Sequence, residues 1–396
     1  MDILFITIST TILPFFTNLF FTSILLKVGH YYEWYDSVDE RKIHTGKIPR
    51  IGGIGIFWTA QISMIVFLYV ANSEHLLKLI LRTEYASLFA GCLIIHLVGL
   101  MDDFKNLKAH YKLIAQIAAA VVFVGAGNYF RSVYLPGFGV TFDLGMGGPL
   151  LTFLWIVGVT NAINLIDGID GLSGSLSAMA ALFLGLAALS KGNYSAAIIA
   201  LSIFGALLGF LFFNFPPAHI FMGDSGSLYV GFLLAALPIV VFRFEHPEKA
   251  LTYGATLVVI PIMDTLAAII RRRRRKQPFH SPDKQHVHHK LLTFGYSNHT
   301  TLVMLTGATS LAGYCAFLWI RIPGVITECI LLFLWLLVVV FFVVIHYINK
   351  KIRAAARLRE EARGAHRGQG LSESAHTPGG ERDGFNTFSD SLPRAE

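Results

Sequence analysis

The sequence predicts an all-α fold: a polytopic integral membrane helix bundle with about eleven transmembrane helices. Three observations predict it. Of 396 residues, 54% are hydrophobic and only 14% charged, and mean hydropathy is +0.59, too apolar for a soluble domain of this length. Runs of about 20 residues with few charges recur along the chain, the length an α-helix needs to cross a bilayer. Lysines and arginines concentrate in alternate loops between those runs.

The expected spans are 3–26, 51–71, 86–101, 112–127, 148–166, 174–190, 194–214, 227–243, 251–270, 300–320 and 323–348. The first lacks a basic n-region and a small-residue cleavage site, so it reads as a span and not as a removed signal peptide. Lys27, Arg41, Lys42, Lys47 and Arg50 follow it. Lys105, Lys108 and Lys112 lie between the third and fourth spans, Arg271 to Lys276 with Lys284 and Lys290 between the ninth and tenth, and Lys350, Lys351, Arg353 and Arg357 after the last. If the spans alternate, all of these share one side. The other side is sparser, with Lys78, Arg82, Arg131, Lys191, Arg243, Lys249 and Arg321. The positive-inside bias therefore places the N-terminus outside and the C-terminus in the cytoplasm.

Between the fourth and fifth spans, residues 129–148 alternate around Pro136-Gly137, with Val133, Leu135, Val140 and Phe142 at strand-like positions, so a short hairpin is expected. Residues 1–348 form the membrane domain and 349–396 a basic tail, largely disordered because it is rich in Gly, Ser and Arg and poor in apolar residues. Its Lys350–Arg363 stretch reads either as a helix on anionic lipid or as a solvated extension. The net charge of +7 sits in loops and needs no nucleic acid to explain it. Cys92, Cys315 and Cys329 all lie in apolar segments, match no zinc or disulfide spacing, and read as packing residues.

Four polar clusters interrupt the apolar chain, and the expected topology puts all of them on one side: Met101-Asp102-Asp103, 161–172 (NAINLIDGIDGL), 221–227 (FMGDSGS) and 286–292 (HVHHKLL). Carboxylates and imidazoles gathered at one interface, and not along a mid-bilayer path, suit an enzyme. Asp102 and Asp103 end the third span. A helix C-terminus disfavours anions, so either the pair is simply solvated or something positive offsets it: Lys105, Lys108 and Lys112, or a divalent cation. Asn164, Asp167 and Asp170 recur at three-residue spacing and would line one face if the segment were helical. Gly168, Gly171 and Gly174 allow close approach, which a packing seam would also explain, but such a seam leaves the acids unexplained. Asp224 lies in a glycine-rich loop after Pro216-Pro217; it could hold a hard cation or cap the eighth span. His286, His288 and His289 share a loop with Arg271 to Arg275, a combination that suits phosphate better than structural zinc; the arginine run also reads as a topology anchor. Asp264 lies inside the ninth span and needs a polar or Arg partner. Glu328 reads as an outer-end residue reaching the headgroups, and His96 as a satisfied interior histidine.

Together these residues resemble the polyprenyl-phosphate N-acetylhexosamine-1-phosphate transferases, of the superfamily that includes the phospho-MurNAc-pentapeptide translocase. The resemblance covers nearly the whole membrane domain. It runs through Arg41-Lys42-x-His44 and Pro49-Arg50-x-Gly52-Gly53, then Asp102-Asp103, the 161–172 segment, Asn214-Phe215 with 221–227, Pro261-x-x-Asp264, and Ser281-Pro282-Asp283-Lys284 with the histidines. The His-x-His-His pattern is similar to the branch that uses UDP-GlcNAc, whereas the pentapeptide branch typically shows three consecutive histidines. One departure is Asn106, which stands where many members carry a third acid.

The resemblance implies transfer of N-acetylhexosamine-1-phosphate, GlcNAc-1-phosphate above all, from a UDP-sugar to undecaprenyl phosphate. The products are the undecaprenyl-diphospho-sugar, which initiates a cell-envelope glycan, and UMP. It implies magnesium, with manganese as a substitute, and a bacterial cytoplasmic membrane protein active on its cytoplasmic face; a homodimer is a family expectation. By the resemblance Asp224 binds the metal and Asp102 or Asp103 orients or deprotonates the lipid phosphate. Asp167, Asp170 and Asn164 shape the nucleotide-side pocket, Phe221 stacks on uracil, and His286, His288 and His289 cap the sugar and diphosphate. Asn214 joins the nucleotide-sugar contacts and Lys112 the lipid-phosphate contacts. The rival readings are a UDP-MurNAc-pentapeptide phosphotransferase and a membrane transporter. A transporter would place acids at mid-bilayer, often within an internal repeat, and no repeat is visible here.

Overall fold

A computed structural model describes residues 3–35, 47–71, 82–278 and 285–373. The Arg41–His44 and Ser281–Lys284 motifs and the end of the tail lie outside the described residues. The chain divides into two compact units, Met1–Ile345 and His346–Glu396.

The fold is all-α apart from one hairpin. In chain order the helices are α1 (Ile3–Tyr31), α2 (Gly52–Ala71), α3 (Thr83–Lys105), α4 (Ala109–Gly125), α5 (Gly147–Ile166), α6 (Leu172–Ser190), α7 (Tyr194–Asn214), α8 (Gly223–Val241), α9 (Ala250–Leu257), α10 (Val259–Arg274), α11 (Val287–Thr293), α12 (Asn298–Arg321) and α13 (Val325–Glu373). Each of the eleven expected spans is helical. Nine of the described helices are long and apolar enough to cross a membrane. The fourth span, α4, has only 17 residues, or about 25 Å, shorter than a typical hydrocarbon core of about 30 Å. The ninth is not one rod: α9 and α10 meet at a 72° bend. Val258 terminates α9, and Pro261, which has no N–H to donate, stands in the first turn of α10.

At the centre stands α8. Its span is wholly buried, with α3, α5 and α2 packed around it. The core is continuous and built mainly of Ala, Leu, Ile and Phe from α2, α3 and α5–α8. Small residues let the helices approach closely, as expected where lipid supplies no hydrophobic drive between helices.

The expected hairpin is present. Strands β1 (Ser132–Leu135) and β2 (Val140–Asp143) pair antiparallel, with Val133 opposite Phe142 and Leu135 opposite Val140. Glu328, expected to reach the headgroups, instead clasps this hairpin. Its carboxylate accepts the Tyr134 hydroxyl at 2.5 Å and the Gly137 N–H at 2.8 Å. Cys92 and Cys315 are buried, Cys329 is exposed, and all three are free thiols.

Candidate active site

The acids converge where three helix ends meet. α3 runs on to Lys105, which puts Asp102 and Asp103 in its last turn. Asn106 then closes it with a left-handed backbone (φ 48°), its N–H donating to the Asp102 carbonyl. Asn tolerates this conformation better than most residues, which gives a physical reason for an amide at the position where a third acid was looked for. α8 starts at Gly223, earlier than expected, so Asp224 lies in its first turn and not in a loop. One oxygen from each of Asp102, Asp103 and Asp224 lies within 4.8 Å of the others.

Three like charges at this distance need compensation, and the fold supplies three kinds. Arg50, on the loop before α2, lies 2.5 Å from Asp224, 3.3 Å from Asp103 and 3.9 Å from Asp102. Lys112, one turn into α4, bridges Asp224 at 2.7 Å and Asp102 at 3.3 Å. The α8 N-terminus is the third. Asp103 accepts the N–H groups of Asp224 at 2.7 Å and Ser225 at 3.0 Å, the favourable placement for an anion at that end of a helix. Asp224 therefore does not cap its own helix; Asp103 does so from α3. Gly223 permits the approach, since a Cβ there would lie 2.6 Å from a carboxylate oxygen of Asp103. Of the three lysines expected to offset the acid pair, Lys112 does so, while Lys105 and Lys108 make no ion pair with it.

Arg50 is the residue that sequence reasoning missed as a partner, although it stood inside a quoted motif. Its loop is fixed by backbone pairing with the α7–α8 connection. Phe221 N–H donates to the Pro49 carbonyl, and Gly52 and Gly53 N–H donate to the Phe221 and Met222 carbonyls, at 2.8–2.9 Å. Phe221 thus helps to hold the Arg50 loop through its backbone, and it is half-buried.

The helical face expected for Asn164, Asp167 and Asp170 is not formed. α5 ends at Ile166, and α6 begins only after Gly171, whose φ of 75° a helix interior cannot use. Freed from one face, the three residues do different things. Asn164 donates to Ser227 Oγ at 2.9 Å, joining α5 to α8. Asp170 accepts the Ala218 N–H at 3.0 Å. Asn214 completes this tie, accepting Gly171 N–H at 3.0 Å and donating to the Ile220 carbonyl at 2.7 Å. Asp170 and Asn214 thus lock the 167–171 break to the loop that contains the cis Pro216–Pro217 bond. Asp167 caps α5 and is half buried. Burial pushes its carboxyl up to about 7; Asp224, Asp103 and Asp170 add to the rise and Arg50 opposes it. Asp167 therefore lies within electrostatic reach of the acid cluster.

The histidine loop reaches the same break. Asp264 on α10 lies 2.7 Å from His286 Nδ1 and accepts the Val287 N–H at 2.8 Å, so it both fixes the ring and caps α11. Its sought partner is thus a histidine and a helix end. His288 is 1% exposed and sits over Gly168, where a Cβ would lie 2.5 Å from its Nε2. Its ring is parallel to that of His286, with centroids 5.9 Å apart, and His289 packs beside it at 4.3 Å. Burial, and then the neighbouring His289, lower the His288 pKa to about 3. At neutral pH it therefore offers a hydrogen bond and no charge. Behind the acid cluster, His96 stacks on Phe57, and its Nδ1 lies 3.2 Å from the carbonyl of Ser225, whose N–H Asp103 accepts.

Fold and site together define a membrane-embedded enzyme whose buried acid cluster, with Arg50 and Lys112, lies at one end of a helix bundle. A model of glycosyl transferase family 4 matches residues 85–242. A probable undecaprenyl-phosphate N-acetylglucosaminyl 1-phosphate transferase of Bacillus subtilis is 32% identical over 294 residues, covering 74% of this chain and 79% of its own. The decaprenyl-phosphate N-acetylglucosaminephosphotransferase of Mycobacterium tuberculosis is 32% identical over 292 residues, 67% of this chain and 70% of its own. The undecaprenyl-phosphate alpha-N-acetylglucosaminyl 1-phosphate transferase of Escherichia coli is 28% identical over 382 residues, 94% of this chain and 96% of its own. The chain belongs to glycosyl transferase family 4.

Proposed function

We propose that the protein transfers GlcNAc-1-phosphate from UDP-GlcNAc to undecaprenyl phosphate, releasing UMP, at the cytoplasmic face of a bacterial inner membrane. The membrane domain of residues 1–348 carries the reaction, and the basic tail of 349–396 lies outside it. The single observation that carries this reading is the cluster of Asp102, Asp103 and Asp224 interleaved with Arg50 and Lys112 at a span end. There a lipid phosphate can meet a soluble nucleotide while its polyprenyl chain stays in the bilayer. The relatives' names point to the same chemistry.

The donor set fits a hard divalent cation: carboxylate oxygens, no sulfur, and an acid pair left over once Asp103 is engaged with the α8 amides. Asp224 with Asp102 would hold magnesium, or manganese in its place. When bound, the ion would neutralise diphosphate charge and polarise the phosphoryl oxygens. Arg50 and Lys112 then have phosphate oxygens as alternative partners, so the cations that now screen the acids would bind and orient both phosphates. A phosphate monoester has its second pKa near ~6 and is mostly dianionic at pH 7, so orienting the acceptor matters more than deprotonating it. On the donor side, Phe221 offers a ring for uracil. Asp167 and Asn164 border the pocket, and neutral His288 with His286 and His289 closes over the sugar and diphosphate. Asp170 and Asn214 act by holding the loops in place.

The test is UMP release by the purified protein given undecaprenyl phosphate, magnesium and UDP-GlcNAc, with lipid-free and UDP-MurNAc-pentapeptide controls. Release that requires lipid and magnesium, and occurs with UDP-GlcNAc but not the pentapeptide nucleotide, is the expected result. Release from the pentapeptide nucleotide alone would assign the other branch.

A further inference from the structure

A cavity lined by two arginines lies at the far end of the bundle. α4 carries Lys112 near its start and leads into Gly127 and Asn128, while α8 carries Asp224 at its start and leads into Arg243 and Phe244. The full length of both helices therefore separates this cavity from the acids. It measures about 300 Å³, and its wall includes Asn128, Arg131, Ile239, Arg243, Phe244 and Pro247, with no carboxylate. That is the lower end of the range for ligand pockets, about 300–1,000 Å³.

The wall is built, and one of its two cations, Arg243, is held by a buried amide. Asn128 is 1% exposed. Its amide N–H groups donate to Ser87 Oγ at 2.9 Å and the Phe123 carbonyl at 3.2 Å, and its oxygen accepts from the Arg243 guanidinium. The following residues are pinned as well. Phe130 N–H donates to Thr152 Oγ1 at 2.9 Å, and the Arg131 carbonyl accepts Leu144 N–H at 2.8 Å. The acid nearest in sequence to Ser87, Glu84, is paired with Arg82 at 2.6 Å, and Arg82 lies over the Phe244 ring at 5.4 Å. Arg131 packs on Tyr129 at 5.6 Å. Among the described residues neither Arg131 nor Arg243 is in an ion pair, so two guanidiniums line one small cavity whose wall carries no carboxylate.

We propose that this cavity binds a phosphate-bearing anion between Arg131 and Arg243. The guanidinium fork matches phosphate oxygens, and a rigid, half-apolar wall strengthens such charge-assisted bonds. The anion is either a membrane-lipid headgroup, its glyceryl part against Ile239 and the exposed Phe244, or free phosphate.

The experiment uses the full chain, delipidated in detergent, as wild type, R131Q and R131Q/R243Q. Native mass spectrometry titrates phosphatidylglycerol against diacylglycerol, and thermal melting compares inorganic phosphate with chloride at equal ionic strength. The wild type is expected to hold one phosphatidylglycerol at least about tenfold more tightly than either variant does, the loss of one charge-assisted hydrogen bond, with no such difference for diacylglycerol. A rise in wild-type melting temperature with phosphate, absent in R131Q and without lipid preference, assigns the site to free phosphate. R131Q retains the Asn128–Arg243 contact, so it keeps the test open if the double variant does not fold. Wild type and R131Q behaving alike in both arms would overturn the proposal.

Discussion

The carboxylate of Asp103 accepts the backbone N–H of Asp224 at 2.7 Å, so the helix that carries one site acid is seated by another 121 residues earlier. Its neighbour Asp102 faces Lys112 instead. Adjacent identical residues thus have different physical tasks. Asp103→Ala is expected to lower stability by about 1–2 kcal/mol, the cost of a lost helix cap. Asp102→Asn is expected to leave the melting temperature nearly unchanged while turnover collapses. Thermal melts of the full chain alongside UMP release check this; equal melting losses would show that the division of tasks is wrong.

Lys112 sits between Asp102 and Asp224, within reach of both. Lys112→Gln should cost about 10²-fold in turnover, the scale of losing one preorganised electrostatic contact. The protein should still fold, because Arg50 continues to screen the acids. A rate within a factor of two of wild type would exclude Lys112 from the site.

Asp167 predicts a pH signature. Burial raises its carboxyl from 3.8 to about 7. The unfolded chain loses this proton near its ordinary value of about 3.9, whereas the folded protein keeps it until about 7. The folded state thus binds more protons in between, and stability falls as pH rises from about 4 to about 7, then levels. Asp167→Asn should remove that slope. Its advantage in melting temperature over wild type should grow across the window and stay constant above it, measured in metal-free buffer with chelator. A pH-independent difference would contradict the assignment.

Asp264 holds both His286 and the first amide of α11. Asp264→Ala should therefore release the histidine loop without loosening α8. Hydrogen exchange on the intact protein should show faster exchange over 286–293 and unchanged protection over 223–241, with activity reduced at least tenfold by loss of positioning. Unchanged exchange at 286–293 would mean that something else anchors the loop.

The spans were legible because each is a long apolar run, and the hairpin because Pro136-Gly137 divides two alternating segments. The acids were legible because charge is costly in a helical membrane chain and therefore conspicuous. Their partners were not. Arg50 reads locally as one more basic loop residue, and only the pairing of 49–53 with 221–222 turns it onto the acids. Asn164, Asp167 and Asp170 repeat at helical spacing, yet α5 ends at Ile166 and Gly171 takes a left-handed backbone, so periodicity misassigned their shared face. Glu328 looked like a headgroup contact because its hairpin partners lie almost 200 residues away in sequence. Such links depend on tertiary contact, which a single sequence does not display.

The complete burial of the eighth helix also governs which changes the protein can absorb. A helix with a lipid side has a stripe where one apolar residue can replace another; α1, with 28% of its span buried, has a broad one. Gly223–Val241 has none. Its nineteen positions form an unbroken run of intolerance: bulkier side chains meet neighbouring helices in every direction. A saturation scan should find α1 permissive on most of its circumference and α8 permissive nowhere. Sequence drift along this helix is therefore constrained by packing on every side, well beyond the few residues that touch the reacting groups.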